Sequence, residues 1–163
     1  MCCTKKKQHL EKGYMRVLLL GDVVGNAGVS HIQKNLWNFR KNNKVDFTII
    51  NAENSGESNG ITPQSAEALF SAGGDVLTTG NHVYRRKEAK TLLDDNTHVL
   101  RPANFSGELA GYGYGIFDIC GYRALIINLM GNAFIQPVLD NPFFVIDRIL
   151  KSEADRYDIV FLD

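Results

Sequence analysis

The most informative stretch for the fold is Val17-Leu18-Leu19-Leu20-Gly21-Asp22-Val23-Val24-Gly25, because a short apolar strand is followed at once by a polar segment with glycines. The pattern returns twice. The strand Phe47 to Ile50 precedes Asn51-Ala52-Glu53-Asn54, and the strand Val76 to Thr78 precedes Gly80-Asn81-His82. Open α/β sheets bind ligands at the carboxyl ends of their strands. The sequence therefore predicts that the three polar segments converge on one crevice.

The residue types in these segments are those of a metal site. Together they present two carboxylates, two side-chain amides and one histidine, from Asp22, Glu53, Asn54, Asn81 and His82. Oxygen donors suit hard divalent cations. Histidine can donate a proton near neutral pH. The pattern thus predicts metal ligands with a proton donor beside them.

Each segment also has a purely structural interpretation when it is taken alone. Asp22 could cap the following helix, and Glu53 and Asn54 could be solvated loop residues. Asn81 and His82 could form a turn. The glycines at 21, 25 and 28 could cradle a phosphate, but their spacing matches neither the dinucleotide fingerprint nor the P-loop. The same chemistry at three strand ends favours one shared site.

Composition narrows the class of protein. The 163 residues suit one domain with a real core. With 18 acidic and 18 basic residues, the chain has no net attraction to nucleic acid or to a membrane surface, so we predict no stable nucleic-acid binding. No apolar run reaches the ~18 residues of a membrane span. Cys2, Cys3 and Cys120 form no C-x-x-C pair, which indicates free thiols in a reducing compartment and a cytoplasmic location.

Helices alternate with the three strands in the first part of the chain. Ile32, Leu36 and Phe39 recur at helical spacing and predict one face of an amphipathic helix. Thr62-Pro63 predicts the start of a second helix, with Thr as the N-cap and Pro at the first helical position. A third helix is predicted from Tyr84 to Asp94. This alternation is typical of an α/β fold with a parallel sheet.

The later part of the chain has a different pattern. Tyr112 to Ile119 and Tyr122 to Asn128 predict a hairpin. A loop with Pro137 and Pro142 then leads to a helix from about Phe144 to Ser152. The run Ile159 to Leu162 predicts one more buried strand.

Both ends of the chain carry an expectation. Residues 1–14 are predicted to be a non-native or disordered leader, because Lys12-Gly13-Tyr14 can be encoded by a purine-rich stretch that looks like a ribosome-binding site. Translation would then begin at Met15. The other end stops at Asp163, directly after a core strand, and so looks cut. Residues 15–163 are therefore predicted to be the N-terminal part of a single domain.

Four motifs resemble one known family. They are Met15 to Gly25, Ile49-Ile50-Asn51-Ala52-Glu53-Asn54, Thr79-Gly80-Asn81-His82 and Arg101-Pro102-Ala103-Asn104-Phe105. In order and spacing they resemble the YmdB-like bacterial metallophosphoesterases, which are 2′,3′-cyclic-nucleotide 2′-phosphodiesterases of the calcineurin-like superfamily. The resemblance implies a four-layer α/β/β/α metallophosphoesterase sandwich with two divalent metal ions, iron or manganese. It also implies a small cyclic nucleotide or an RNA end as substrate, and it allows a homo-oligomer.

The resemblance also implies a role for each candidate residue. Asp22 and Asn54 would ligate the first metal, Asn81 the second, and Glu53 would bridge both. His82 would be the catalytic proton donor. A hydroxide between cations held about 3.5–4 Å apart has a lowered pKa and attacks phosphorus. Protonation of the leaving 2′-oxygen would yield a nucleoside 3′-phosphate.

The sequence departs from the family in one respect. Family members continue with His-Ala-Glu and Thr-His-Thr-His segments that supply three more histidine ligands, all of which would lie beyond Asp163. None of the histidines at positions 9, 31, 82 and 98 is positioned to replace them. The 163 residues are therefore expected to be C-terminally truncated and inactive alone. The alternatives are an inactive remnant that binds a metal weakly or acts through protein contacts, and a nucleotide-binding module that uses the loop from Gly21 to Gly28.

Overall fold

The computed structural model describes residues 14–105, 108–133 and 139–163. The elements in chain order are β1 Val17–Leu20, α1 Gly25–Asn43, β2 Phe47–Asn51, α2 Pro63–Ser71, β3 Val76–Thr78, α3 Lys87–Asp95, β4 Val99–Leu100, β5 Tyr114–Ile119, β6 Tyr122–Ile127, α4 Pro142–Ser152 and β7 Ile159–Leu162. The predicted leader, apart from Tyr14, and Pro137 lie outside the described residues. Within the described ranges, no helix is both long enough and apolar enough to cross a membrane.

The strands form two sheets. In the first sheet the order is β1-β2-β3-β4 and every pair is parallel, with Leu20 opposite Ile50 and Thr78 opposite Leu100. In the second sheet β5 and β6 form the predicted antiparallel hairpin, and β7 pairs in parallel with β6. Because the strands of the first sheet run the same way, the residues after each strand meet at one edge.

The side chains of the two sheets define four layers. Three buried clusters show which surfaces pack together. One face of the first sheet packs on the first three helices, through Ile50, Leu77 and Val99 with Leu36, Leu69 and Leu93. Its other face packs on the second sheet, through Ile49, Val76 and Leu100 with Ala124 and Ile126, and the far face of the second sheet packs on α4, through Leu125 and Ile127 with Val145 and Ile149. Alternate residues of each strand therefore face opposite layers. This confirms the predicted α/β/β/α sandwich.

The start of α2 is confirmed in detail. The Thr62 side chain accepts a hydrogen bond from the Ser65 backbone N–H, and the Ser65 hydroxyl accepts one from the Thr62 backbone N–H. Pro63 occupies the first turn, where its missing N–H costs nothing. The helix is followed by Gly73, whose φ of +113° lies in the region that favours glycine.

The predicted start of α3 at Tyr84 is wrong, because the helix begins at Lys87. The preceding residues form turns in which the Arg85 N–H donates to the His82 carbonyl at 2.9 Å. Tyr84 instead donates its hydroxyl to the Ala110 carbonyl at 2.7 Å and packs edge-on against Phe105. These tertiary contacts hold the segment away from the helical path.

Two smaller boundaries also differ. Helix α4 begins at Pro142 and not at Phe144, since proline fits the first turn and the Asn141 side chain accepts from the Phe143 N–H at 2.9 Å. Strand β5 begins at Tyr114, because Tyr112 forms only an isolated bridge to Leu100.

One side of the sandwich exposes apolar residues. Strand β1 is an edge of the first sheet and β7 an edge of the second, and Leu19 and Leu162 are each 50 % exposed. On α1, Leu36 is buried as predicted, but Phe39 from the same predicted face is 48 % exposed. Among the described residues, the buried face of α1 is therefore narrower than the sequence pattern predicted.

Candidate functional site

The three polar segments meet at the carboxyl edge of the first sheet. Backbone hydrogen bonds tie them together: the Val23 N–H donates to the Asn51 carbonyl at 3.0 Å, and the Gly25 N–H to the Asn54 carbonyl at 2.8 Å. The Ala52 N–H likewise donates to the carbonyl of Thr78 at 2.8 Å. The loops after β1, β2 and β3 are thus held in a fixed relation.

Four of the five predicted side chains form one connected run. The Asn54 amide donates from Nδ2 to Asp22 Oδ1 at 2.8 Å, and its Oδ1 lies 2.8 Å from His82 Nδ1. The same His82 nitrogen lies 3.2 Å from Glu53 Oε1. Asn81, the fifth residue, is exposed beside His82, and within the described part of the chain no hydrogen bond joins its amide to the other four. The structure therefore brings Asp22, Glu53, Asn54 and His82 together and leaves Asn81 at the rim.

The position of the Glu53 carboxylate depends on a glycine. A Cβ added to Gly80 would overlap this carboxylate, and even the more distant oxygen, Oε1, would be only 2.8 Å away. The same Oε1 accepts a hydrogen bond from the His82 backbone N–H at 3.2 Å. At the other end of the residue, the Glu53 N–H donates to Asn51 Oδ1 at 3.2 Å. Gly80 thus provides the space in which the carboxylate turns toward the other candidate residues.

The charges and donor types fit a divalent cation. Asp22 and Glu53 bring two carboxylates to this edge, and His82 is the basic partner of Glu53. The other ion pairs among the described residues join arginines to Asp75, Asp158 and Glu153 elsewhere. Within the described ranges, no group of three or more His, Cys, Asp or Glu side chains is placed so that it could hold a metal ion. Carboxylate and amide oxygens are the donors that hard cations such as manganese prefer.

The sequence prediction missed a set of side-chain contacts between the strand ends of the two sheets. The Asn51 amide donates to Asp163 Oδ2 at 3.1 Å, and the Thr78 hydroxyl donates to the same oxygen. The buried Asn128 amide donates to the carbonyls of Thr79 at 2.7 Å and Leu100 at 2.9 Å. Asn128 and Asp163 directly follow β6 and β7, so the strand-end rule applied to the second sheet could have found them.

Two other histidines lie away from this edge. The His98 ring contacts the Asp75 carbonyl at 2.9 Å and stacks edge-on with Phe117, at the entry to β4. His31 lies within α1. Neither belongs to the run of four side chains.

Comparison with known families gives one model match over nearly the whole described chain. A family described as "YmdB-like protein" matches residues 18–163. A Bacillus subtilis protein named 2′,3′-cyclic-nucleotide 2′-phosphodiesterase is 36 % identical over 149 residues, covering 91 % of this chain and 56 % of the relative. A putative phosphatase/phosphodiesterase of Mycoplasma genitalium is 31 % identical over 90 % of this chain and 54 % of its own length. The chain thus spans about half the length of these relatives.

Solved structures show the same architecture. A hypothetical protein from Thermus thermophilus has a TM-score of 0.83 at 34 % identity, covering 91 % of this chain and 56 % of that one. A putative 5′-nucleotidase from Staphylococcus aureus has a TM-score of 0.63 at 19 % identity, over 90 % of this chain and 36 % of its own. The second similarity concerns the fold alone. Together these neighbours support the four-layer α/β/β/α sandwich of this chain.

Proposed function

The chain belongs to the YmdB-like protein family, and on that premise we propose that it carries the active-site edge of a metal-dependent phosphodiesterase. The substrate would be a 2′,3′-cyclic nucleotide and the product a nucleoside 3′-phosphate. The names of its relatives support phosphoester hydrolysis as the reaction class. The observation that carries the proposal is the connected run of Asp22, Asn54, His82 and Glu53 at one sheet edge.

Four residues would hold the two metal ions, iron or manganese. Asp22 and Asn54 would bind one ion and Asn81 the other, with Glu53 shared between them. The present contacts support this assignment, because Asn54 contacts Asp22 through its Nδ2, and Asn54 Oδ1 and Glu53 Oε1 both lie against His82 Nδ1. When bound, such ions neutralise a phosphodiester and lower the pKa of the attacking water.

His82 would give the proton to the leaving 2′-oxygen. Its Nδ1 is engaged by Asn54 Oδ1 and Glu53 Oε1, which orients the ring. The proton to be transferred would therefore be the one on Nε2. Histidine is the side chain that most often transfers protons in enzyme catalysis.

The setting of the reaction completes the proposal. The substrate would be a small cyclic nucleotide or the cyclic end of an RNA, recognised at the site and not by an electrostatic surface, because acidic and basic residues balance at 18 each. The reaction would take place in the cytoplasm, where a thiol such as the exposed Cys120 stays reduced. A homo-oligomer remains a prediction.

Hydrolysis of 2′,3′-cyclic AMP tests the proposal. It should be measured with manganese or iron(II) for two proteins. One is the chain of 163 residues, and the other is a longer protein that also carries the segment that the relatives have in addition. We expect the extended protein to release 3′-AMP in a metal-dependent way that stops on chelation. A fully metal-loaded extended protein that leaves the cyclic nucleotide intact would refute the assignment.

Substitution of His82 separates its role from that of the ligands. His82→Ala should keep the metal content and slow turnover by roughly 10²–10⁴-fold, as for a lost general acid. A p-nitrophenyl ester, whose leaving group needs no proton, should be affected much less. His98→Ala is the matched control, because that ring lies at the other end of the sheet. Loss of a metal equivalent from His82→Ala would instead make His82 a ligand.

A further inference from the structure

A second polar groove lies beside the exit of β4. It consists of two adjoining cavities of about 330 and 600 Å³, which share Arg101, Gly113 and Tyr114 in their walls. Helix α4 forms the opposite wall with Arg148 and Ser152. None of the five candidate residues of the strand-end site lines either cavity. The volumes are those of pockets that hold small organic ligands.

Arg101 carries a buried charge without a carboxylate partner. The side chain is only 6 % exposed. Its Nε donates to the Gly111 carbonyl at 3.2 Å and its Nη1 to the Pro102 carbonyl at 3.0 Å, and both acceptors are neutral. None of the ion pairs among the described residues includes it. A buried charge is costly unless an opposite charge accompanies it, so an anion in the groove would supply what the chain does not.

The remaining groups of the groove increase its positive character. Glu153 is the carboxylate in the wall, and it is already used: its Oε2 pairs with Arg156 at 2.7 Å and its Oε1 accepts from the Tyr114 hydroxyl at 3.0 Å. Arg148 has no ion-pair partner among the described residues. Arg101 and Arg148 therefore face the same cavity as two uncompensated guanidinium groups.

We propose that this groove binds a phosphate group, carried by a small organic phosphate or present as the free ion. Guanidinium groups present paired N–H donors that match phosphate oxygens. Arg101 would anchor the anion from the buried side, and Arg148 would close over it from α4. Tyr112, which lines the wider cavity and is 51 % exposed, offers an aromatic surface for an attached base. The groove is thus a binding site separate from the strand-end cluster and independent of its chemistry.

Titration of the metal-free chain with phosphate compounds tests the groove. A chelator is present throughout, so that phosphate cannot bind through metal ions at the strand ends. The probes are inorganic phosphate and adenosine 3′-monophosphate. Their binding is monitored by the NMR chemical shifts of the backbone amides. We expect saturable shifts at Gly113 and Tyr114, and not at Gly80. Tighter binding of the nucleotide would identify an organic phosphate as the ligand, and equal affinities would identify the free ion.

Arg148→Gln is the decisive variant, because this arginine is exposed and its loss should leave the fold intact. Loss of a charge-assisted hydrogen bond should weaken phosphate binding about tenfold or more. Lys151→Gln, the same charge change on the same helix outside the cavity walls, should change it less than about twofold. Equal affinities of the two variants, or no saturable shifts at Gly113 with either probe, would show that Arg101 only ties the β4 exit to its neighbouring loop.

Discussion

Gly80→Ala should disable the strand-end site while leaving the fold in place. The new Cβ would occupy the space of the Glu53 carboxylate. Alanine itself is compatible with the backbone, because Gly80 is not among the residues with positive φ. The carboxylate is the end of a flexible side chain, so it can swing away from the clash. Its contacts with the backbone N–H and the ring of His82, both 3.2 Å long, would then be lost.

The expected loss of stability is small, and the expected loss of metal affinity is large. Hydrogen bonds to a charged group contribute about 1.5–3 kcal/mol each when they are well shielded. Here the His82 and Glu53 side chains are 27 % and 17 % exposed, and water can replace part of each contact. Replacing glycine by alanine returns about 0.4–1 kcal/mol by restricting the unfolded chain. The net cost should therefore be about 1–2 kcal/mol, whereas the proposed metals would lose their shared ligand.

Manganese binding measured by calorimetry, together with urea unfolding, tests this reasoning. The affinity of Gly80→Ala should fall at least about tenfold, which corresponds to about 1.4 kcal/mol. Gly21→Ala is the matched control at the same sheet edge, since a Cβ there has nothing within 4 Å. It should bind manganese as the unaltered chain does. Wild-type manganese affinity in a folded Gly80→Ala protein would refute the role given to Glu53.

Three further substitutions test other parts of the structure. Asn54→Ala removes the amide in the middle of the connected run, and calorimetry should show weaker manganese binding, though less so than for Glu53→Ala if that carboxylate serves both ions. Burial, followed by the hydrogen bond to Glu153, raises the pKa of Tyr114 above its ordinary value of 10.0, so its contribution to stability is present below pH 10 and is lost as the pH rises through the folded-state pKa. Tyr114→Phe should lower the free energy of unfolding in urea by about 1–2 kcal/mol at about pH 7 and by less at a pH above the ordinary tyrosine pKa. An equal loss under the two conditions would contradict this account. Asn128→Leu should cost about 1–3 kcal/mol by the same measurement, because the buried Thr79 carbonyl loses its side-chain donor, whereas the Leu100 carbonyl keeps the Thr79 hydroxyl; a change below about 0.5 kcal/mol would show that the Thr79 carbonyl finds another partner.

The sequence prediction was most accurate where local rules apply. The strand Val76–Thr78 and the helix start at Pro63 were placed correctly, because strand alternation and helix capping depend on neighbouring residues. It failed at Tyr84, whose helical spacing was overridden by contacts with Phe105 and the Ala110 carbonyl. Those partners lie more than 20 residues along the chain, so no local pattern could indicate them.

The residues at the strand ends can be predicted from the sequence alone. Asp22, Glu53, Asn54, Asn81 and His82 each follow an apolar strand, and parallel strands bring their carboxyl ends to one edge. Their convergence therefore follows from hydrophobic pattern and sheet topology, which are both readable along the chain.

Which of these side chains make contact depends on the packing of the whole molecule. It placed Asn54 between Asp22 and His82, put Gly80 against Glu53, and left Asn81 at the rim. It likewise buried the Arg101 guanidinium beside a cavity instead of in solvent. The physical reason is that these positions depend on how far loops from different strands project over one another. That distance is fixed by the packing of four layers and not by the spacing of residues along the chain.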